Sequence, residues 1–105
     1  MATKARIEWI RLDSIPSNLI KHFYGAAEIA VTTTATAAGL RPIAPAFGAG
    51  KKSGCALVRG FENPVVVAWG DDPTATLLGG KLILPGEEIP IAMDTGTKLS
   101  FIEVT

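Results

Sequence analysis

The sequence is poor in the residue types from which most catalytic and metal sites are built. It has one cysteine and one histidine in 105 residues. A lone Cys55 excludes an internal disulfide framework and makes a reducing cytosol the default compartment. With His22 the only imidazole, a zinc site drawn from Cys and His has too few ligands. A Cys55–His22 nucleophile pair stays open, because spatial neighbours need not be sequence neighbours. Cys55, however, opens the apolar run CALV, where a free cysteine acts as a small buried hydrophobe, and His22 stands in HFY as a packing or surface residue. Charge is scarce too, at 19% of residues against about 25% in an average soluble domain. Ten basic and ten acidic side chains cancel and form no basic stripe, so nucleic acid is not an expected partner. No apolar run is long enough to span a bilayer, so no membrane partner is expected. The opening MATKARIEWIRLD has no apolar h-region, so no signal peptide is expected and the chain reads as soluble and unexported.

Glycine, alanine, threonine and proline fill the place of the missing charge. A chain of this length is one domain, with a high ratio of surface to volume and hence a large demand for polar residues. Either the surface is neutral and coated with threonine, or other subunits cover much of it. We expect the second.

Residues 6 to 12, RIEWIRL, put Ile7, Trp9 and Arg11 on one side and Ile10 and Leu12 on the other, which predicts a strand. SIPSNLIKHFYG has Pro16 early, Gly25 late and Ile15, Leu19, Ile20 and Phe23 near helical spacing. That predicts a short helix, with an extended segment as the alternative. EIAVTTTATA is rich in β-branched residues and predicts a strand. RPIAPAFGAGKKSG, residues 41 to 54, predicts a long exposed loop. CALVRG and VVVAWG read as a hairpin turning at Glu62-Asn63-Pro64, and KLIL and EIPIAM as a second one turning at Pro85-Gly86. KLSFIEVT closes the chain as a strand. The fold class is therefore all-β: a small antiparallel β-sandwich or jelly-roll-like barrel of six to eight short strands, with at most one short helix.

Two stretches imitate functional motifs. GAGKKSG has Pro45 where a phosphate-binding loop needs its first glycine, and Lys52 where it needs Ser or Thr. It reads as a flexible, mildly basic loop. Asp71 and Asp72 in GDDP read as turn-initiating residues. Glu87 and Glu88, adjacent on a strand, point to opposite faces and cannot converge on one proton or metal. A calcium site at Asp71 and Asp72 stays open, since calcium takes oxygen ligands from irregular loops. No catalytic residue, cofactor or metal is assigned, and the chain reads as no enzyme.

From Gly54 onward, ALVRGFENPVVVAWG, the Gly70–Thr76 turn, LPGEEIPI and KLSFIEV together resemble the small β-sandwich virion proteins of tailed bacteriophages. The similarity covers about half the chain. It implies a capsid decoration or cement protein that stabilises the head at capsomer junctions, made in the bacterial host cytoplasm and resident in the virion. The implied partners are the major capsid protein and further copies of the chain, as a dimer or trimer. Contact is then expected from an N-terminal arm, residues 1 to 12, with Arg6, Trp9 and Arg11. The loop 41 to 54, with Arg41, Phe47, Lys51 and Lys52, and the strand residue Trp69 complete the expected contacts. The alternatives are a head- or tail-associated adaptor at a fibre base, and a carbohydrate-binding module using Trp69, Asp71 and Asp72.

Overall fold

The computed structural model describes residues 3–12, 20–47 and 53–104. Among these are seven strands: β1 (Lys4–Leu12), β2 (Ile20–Ala30), β3 (Ser53–Phe61), β4 (Val65–Gly70), β5 (Lys81–Ile83), β6 (Glu88–Asp94) and β7 (Lys98–Glu103). The single helical element among the described residues is a 3-10 turn at Ala38–Leu40. The strands form two antiparallel sheets in the orders β2-β1-β3-β6 and β5-β4-β7. Period-two alternation explains what lies between them. Ala5, Ile7 and Trp9 of β1, Ala56 and Val58 of β3, and Ile91 and Met93 of β6 meet Val65, Val67, Ile83, Leu99 and Phe101 of the second sheet in one buried cluster. The outer face of the first sheet carries the charge. Arg6 and Arg59 stand opposite each other, relieved by Glu8 at 3.7 Å and Glu88 at 3.6 Å respectively.

Residues Ile20 to Phe23 are strand, not helix; residues 14 to 19 of that expectation lie outside the described residues. The helical spacing misleads because of a bulge. Glu8 pairs with Ala26 but Ile10 with Phe23, so β2 holds one extra residue there, and Gly25 takes φ +117° to accommodate it. The bulge shifts the phase: Tyr24 turns inward against the core and Phe23 outward, 59% exposed. The strand expected from Glu28 stops at Ala30.

Neither expected hairpin is one. β3 and β4 lie in different sheets, as do β5 and β6, so Glu62–Pro64 and Leu84–Glu87 are corners that carry the chain across the sandwich. β3 is already flanked by β1 and β6, leaving no edge for β4. At the first corner Glu62 has φ +75°, a left-handed conformation that costs a side-chain-bearing residue about 1 kcal/mol. Glu62→Gly is expected to stabilise the fold by about 0.5–1 kcal/mol, measured as a higher urea midpoint with unchanged slope.

Of the segment expected as an N-terminal arm, Lys4–Leu12 is an interior strand, bonded on both edges by β2 and β3. Residues 31 to 44 form an extended strap along the outer edge of β7. Glu103 N–H donates to the Thr32 carbonyl at 2.7 Å, Thr36 N–H to Phe101 at 3.0 Å, Leu99 N–H to Pro42 at 3.0 Å and Ala44 N–H to Thr97 at 2.8 Å. The first half of the expected loop is thus docked, with Pro42, Ala44 and Phe47 buried. On the outer face of the second sheet, Pro73 and Ala75 are buried, and Ala75 N–H donates to the buried Ser100 hydroxyl at 3.0 Å.

Candidate functional site

Of the four carboxylates from which a catalytic or metal site would be built, three have separate partners, and Asp71 is held through its backbone. Asp72 accepts from the Arg41 guanidinium at 2.6 Å. The Asp71 backbone carbonyl accepts from Lys98 Nζ at 3.2 Å. Glu87 caps the Leu84 N–H at 3.1 Å, closing its own turn, while Glu88 faces Arg59. Among the described residues no group of three or more His, Cys, Asp or Glu side chains is placed to hold a metal ion. Cys55 and His22 belong to β3 and β2, on opposite sides of β1. That is two strand spacings, about 9–10 Å of backbone separation. Burial pushes the Cys55 thiol above its ordinary value despite a hydrogen bond from the Ile91 backbone. It stays protonated, and so a poor nucleophile, at neutral pH.

Of the residues expected at an interface, Trp9 and Phe47 are core residues, 5% and 0% exposed. An aromatic at an inward strand position, or one packed on a glycine, fills the sandwich and cannot also present a free contact. Arg41 is nine-tenths buried while its partner Asp72 is almost fully exposed, and its Nε is buried without a hydrogen-bond partner. Arg11 donates to the Phe47 carbonyl at 3.4 Å, so it anchors the strap's end. Arg6 is on the charged outer face. Lys51 and Lys52 lie outside the described residues.

Trp69 alone among the expected aromatics is at the surface, 44% exposed. It lines two shallow grooves, of about 380 Å³ with Lys81, Ile89 and Pro90, and of about 270 Å³ with Gly70, Met93 and Asp94. Neither Asp71 nor Asp72 lines these two grooves.

The surface that sequence reading missed is apolar. Leu77, Leu78, Leu82 and Leu84 are 57, 99, 47 and 52% exposed. They lie within eight residues, on the turn before β5 and along that edge strand. The stretch TLLGGKLIL held a signal: two adjacent leucines before Gly79-Gly80 fit neither strand nor helix periodicity, so one had to face water. A third groove, of about 510 Å³, runs between Ile29 and the strap at Thr34, Thr36 and Leu40, and is lined by methyl groups and hydroxyls.

One polar cluster ties the fold together at the β7 end. The Glu103 carboxylate accepts from the buried Thr3 hydroxyl and from Asn63 Nδ2 at 2.7 Å. It thereby joins the chain just before β1, the first corner and the last strand. The Thr3 bond first, then the Asn63 bond, holds its carboxyl below the ordinary glutamate value. A carboxyl depressed in the folded state contributes stability above its unfolded pKa and loses that contribution as pH falls through its folded value. Wild type is therefore expected to exceed Glu103→Gln in stability at neutral pH, with the difference closing below about pH 4. Urea unfolding of both chains across pH 3 to 7 measures it.

Comparison with protein-family models, with curated proteins and with solved structures finds no match for this chain.

Proposed function

We propose that this chain is a non-enzymatic structural protein that works by covering other protein, as a decoration or cement subunit on a bacteriophage capsid. The observation that carries this reading is the leucine ridge on β5 and the turn before it. Leu78 is 99% exposed and three further leucines within eight residues are about half exposed. Isolated surface leucines are ordinary, but such a run on one edge marks a contact surface. The low charge content agrees, since interface centres are depleted of charge. The half-chain resemblance supplies the capsid as the surface that is covered. A protein that binds only the assembled shell stabilises it by mass action, and a symmetric shell favours a dimer or trimer of the cement itself.

The test uses phage particles made with and without the protein. DNA release is expected at a lower temperature in the depleted particles and to be restored by adding the purified chain, but not by a folded Leu78→Glu, Leu84→Glu variant. An unchanged release temperature removes the cement role. A position at the tail would move the reading to the adaptor alternative.

A second reading has its own observation, the half-exposed Trp69 beside two concavities. An exposed aromatic in a groove is what a carbohydrate module requires. The lining of the larger groove is mainly aliphatic, with Ile89, Pro90, Ile91 and Ala92, and offers few hydroxyl partners, which ranks this second.

A further inference from the structure

The two open sides of the sandwich are treated differently. On one side the strap of residues 31 to 44 lies along β7 and takes up the edge hydrogen bonds of Leu99, Phe101 and Glu103. On the other side β5 covers only part of β4: Val65, Val66 and Val67 have partners in Ile83, Leu82 and Lys81, while Ala68, Trp69 and Gly70 have none there.

Which backbone groups this leaves open follows from antiparallel alternation. Because Leu99, Phe101 and Glu103 turn their peptide groups to the strap, Lys98, Ser100 and Ile102 turn theirs to β4. Their partners in β4 are Gly70, Ala68 and Val66. Val65, Val67 and Trp69 then face the β5 side. Val65 and Val67 meet β5, whereas the position opposite Trp69 is vacant. The chain leaves the sheet there, with Gly79 N–H turned back to the Thr76 carbonyl at 3.2 Å. Among the described residues no backbone hydrogen bond to Trp69 on this side occurs. The vacancy opens into the two grooves that meet at the half-exposed Trp69 ring. Their apolar wall is Ile89 to Ala92. At the rim stands Lys81, exposed and without a carboxylate partner among the described residues.

We infer that this seam binds an extended peptide segment of a partner protein, apolar at the residue opposite Trp69 and carrying a carboxylate that reaches Lys81. The backbone donor and acceptor of Trp69 select an extended chain, the mode by which a peptide adds to a sheet edge. The apolar wall and ring select a side chain without charge beside them, and Lys81 sets the sign of the charge at the larger groove, while Asp94 lines the smaller one. The chain itself closes its opposite seam in the same way, with its own extended strap. This surface is distinct from the leucine ridge, and the inference does not rest on the capsid reading.

Trp9 is buried, so a change in tryptophan emission on adding peptide reports on Trp69. The probes are two blocked heptapeptides, one of alternating valine and glutamate and one of alternating valine and lysine. The valine–glutamate peptide is expected to shift the emission saturably and to bind about three- to tenfold more tightly than the lysine form. Lys81→Glu, on an exposed position, is expected to reverse that preference. Binding of neither peptide at millimolar concentration overturns the inference, as does a preference that Lys81→Glu leaves unchanged. A saturable shift with cellohexaose in place of both peptides also overturns it, assigning the seam to glycan. The Leu78→Glu, Leu84→Glu variant is expected to keep peptide binding, so loss of the capsid reading and loss of this one are separately visible.

Discussion

Replacing Phe47 by alanine is expected to lower the unfolding free energy by about 3–5 kcal/mol, a large share of the 5–15 kcal/mol typical of a domain. The ring is fully buried, meets Tyr24 edge-on at 5.7 Å and lies flat against Gly54, where a Cβ would fall inside it. A glycine neighbour has no side chain with which to collapse into the space, so the cavity remains. The strap's end loses its anchor as well, because the Phe47 carbonyl accepts from Arg11. Urea unfolding measures the loss. Gly54→Ala fails from the opposite direction, by overpacking, at about 1–3 kcal/mol. The same substitution in a Phe47→Leu background is expected to cost less than in wild type, a coupling that a double-mutant cycle reads directly. Additive losses would mean that the two residues are not in contact.

Gly80→Ala is expected to be nearly as damaging, at about 1–3 kcal/mol and toward the upper end. A Cβ at this position would stand 2.5 Å from the Val67 carbonyl oxygen and 2.7 Å from Val66 Cγ1. The first of these is backbone and cannot rotate away. Relief requires β5 to move off β4, which breaks pairing at Lys81 and Leu82. Amide exchange is therefore expected to accelerate along Lys81–Ile83 more than along β1 and β3. Uniform acceleration would place the strain in the whole fold, and unchanged stability would mean that Gly80 does not approach Val67 this closely.

Much of the fold was legible where one strand has one wet and one dry side. Ile7 and Trp9 fall on one face of β1, as alternation requires, and Leu99 and Phe101 on one face of β7. The reading failed where the determinant was not local. At Gly25 one extra residue reverses the phase of β2, so a period-two strand looks like a period-three helix. At Glu62–Pro64 and at Pro85–Gly86 the turn residues say that the chain reverses, but not whether it returns in the same sheet. Phe47 looked exposed because proline and glycine surround it. Its burial is decided by Gly54 and Tyr24, in other elements. Trp69 was legible as an aromatic of interest, yet its exposure depends on where β5 ends. The leucine ridge is legible only once β5 is known to be a sheet edge.

The corners also set how the chain can reach this structure. Three links, β3 to β4, β5 to β6 and β6 to β7, change sheets, so none of these neighbours in sequence can zip together as a hairpin. The pairings that remain include β1 with β3, β3 with β6 and β4 with β7, each closing a loop of some thirty residues or more before it is rewarded. Such a topology belongs with slow two-state folders, in the range of about milliseconds to seconds. The rate-limiting ensemble is expected to hold strands of both sheets, because the corner at Glu62–Pro64 places β3 and β4 in different layers around one core. Refolding is then expected to be more sensitive to substitutions at Val58 and Val67, both buried in that core, than to any change in a turn.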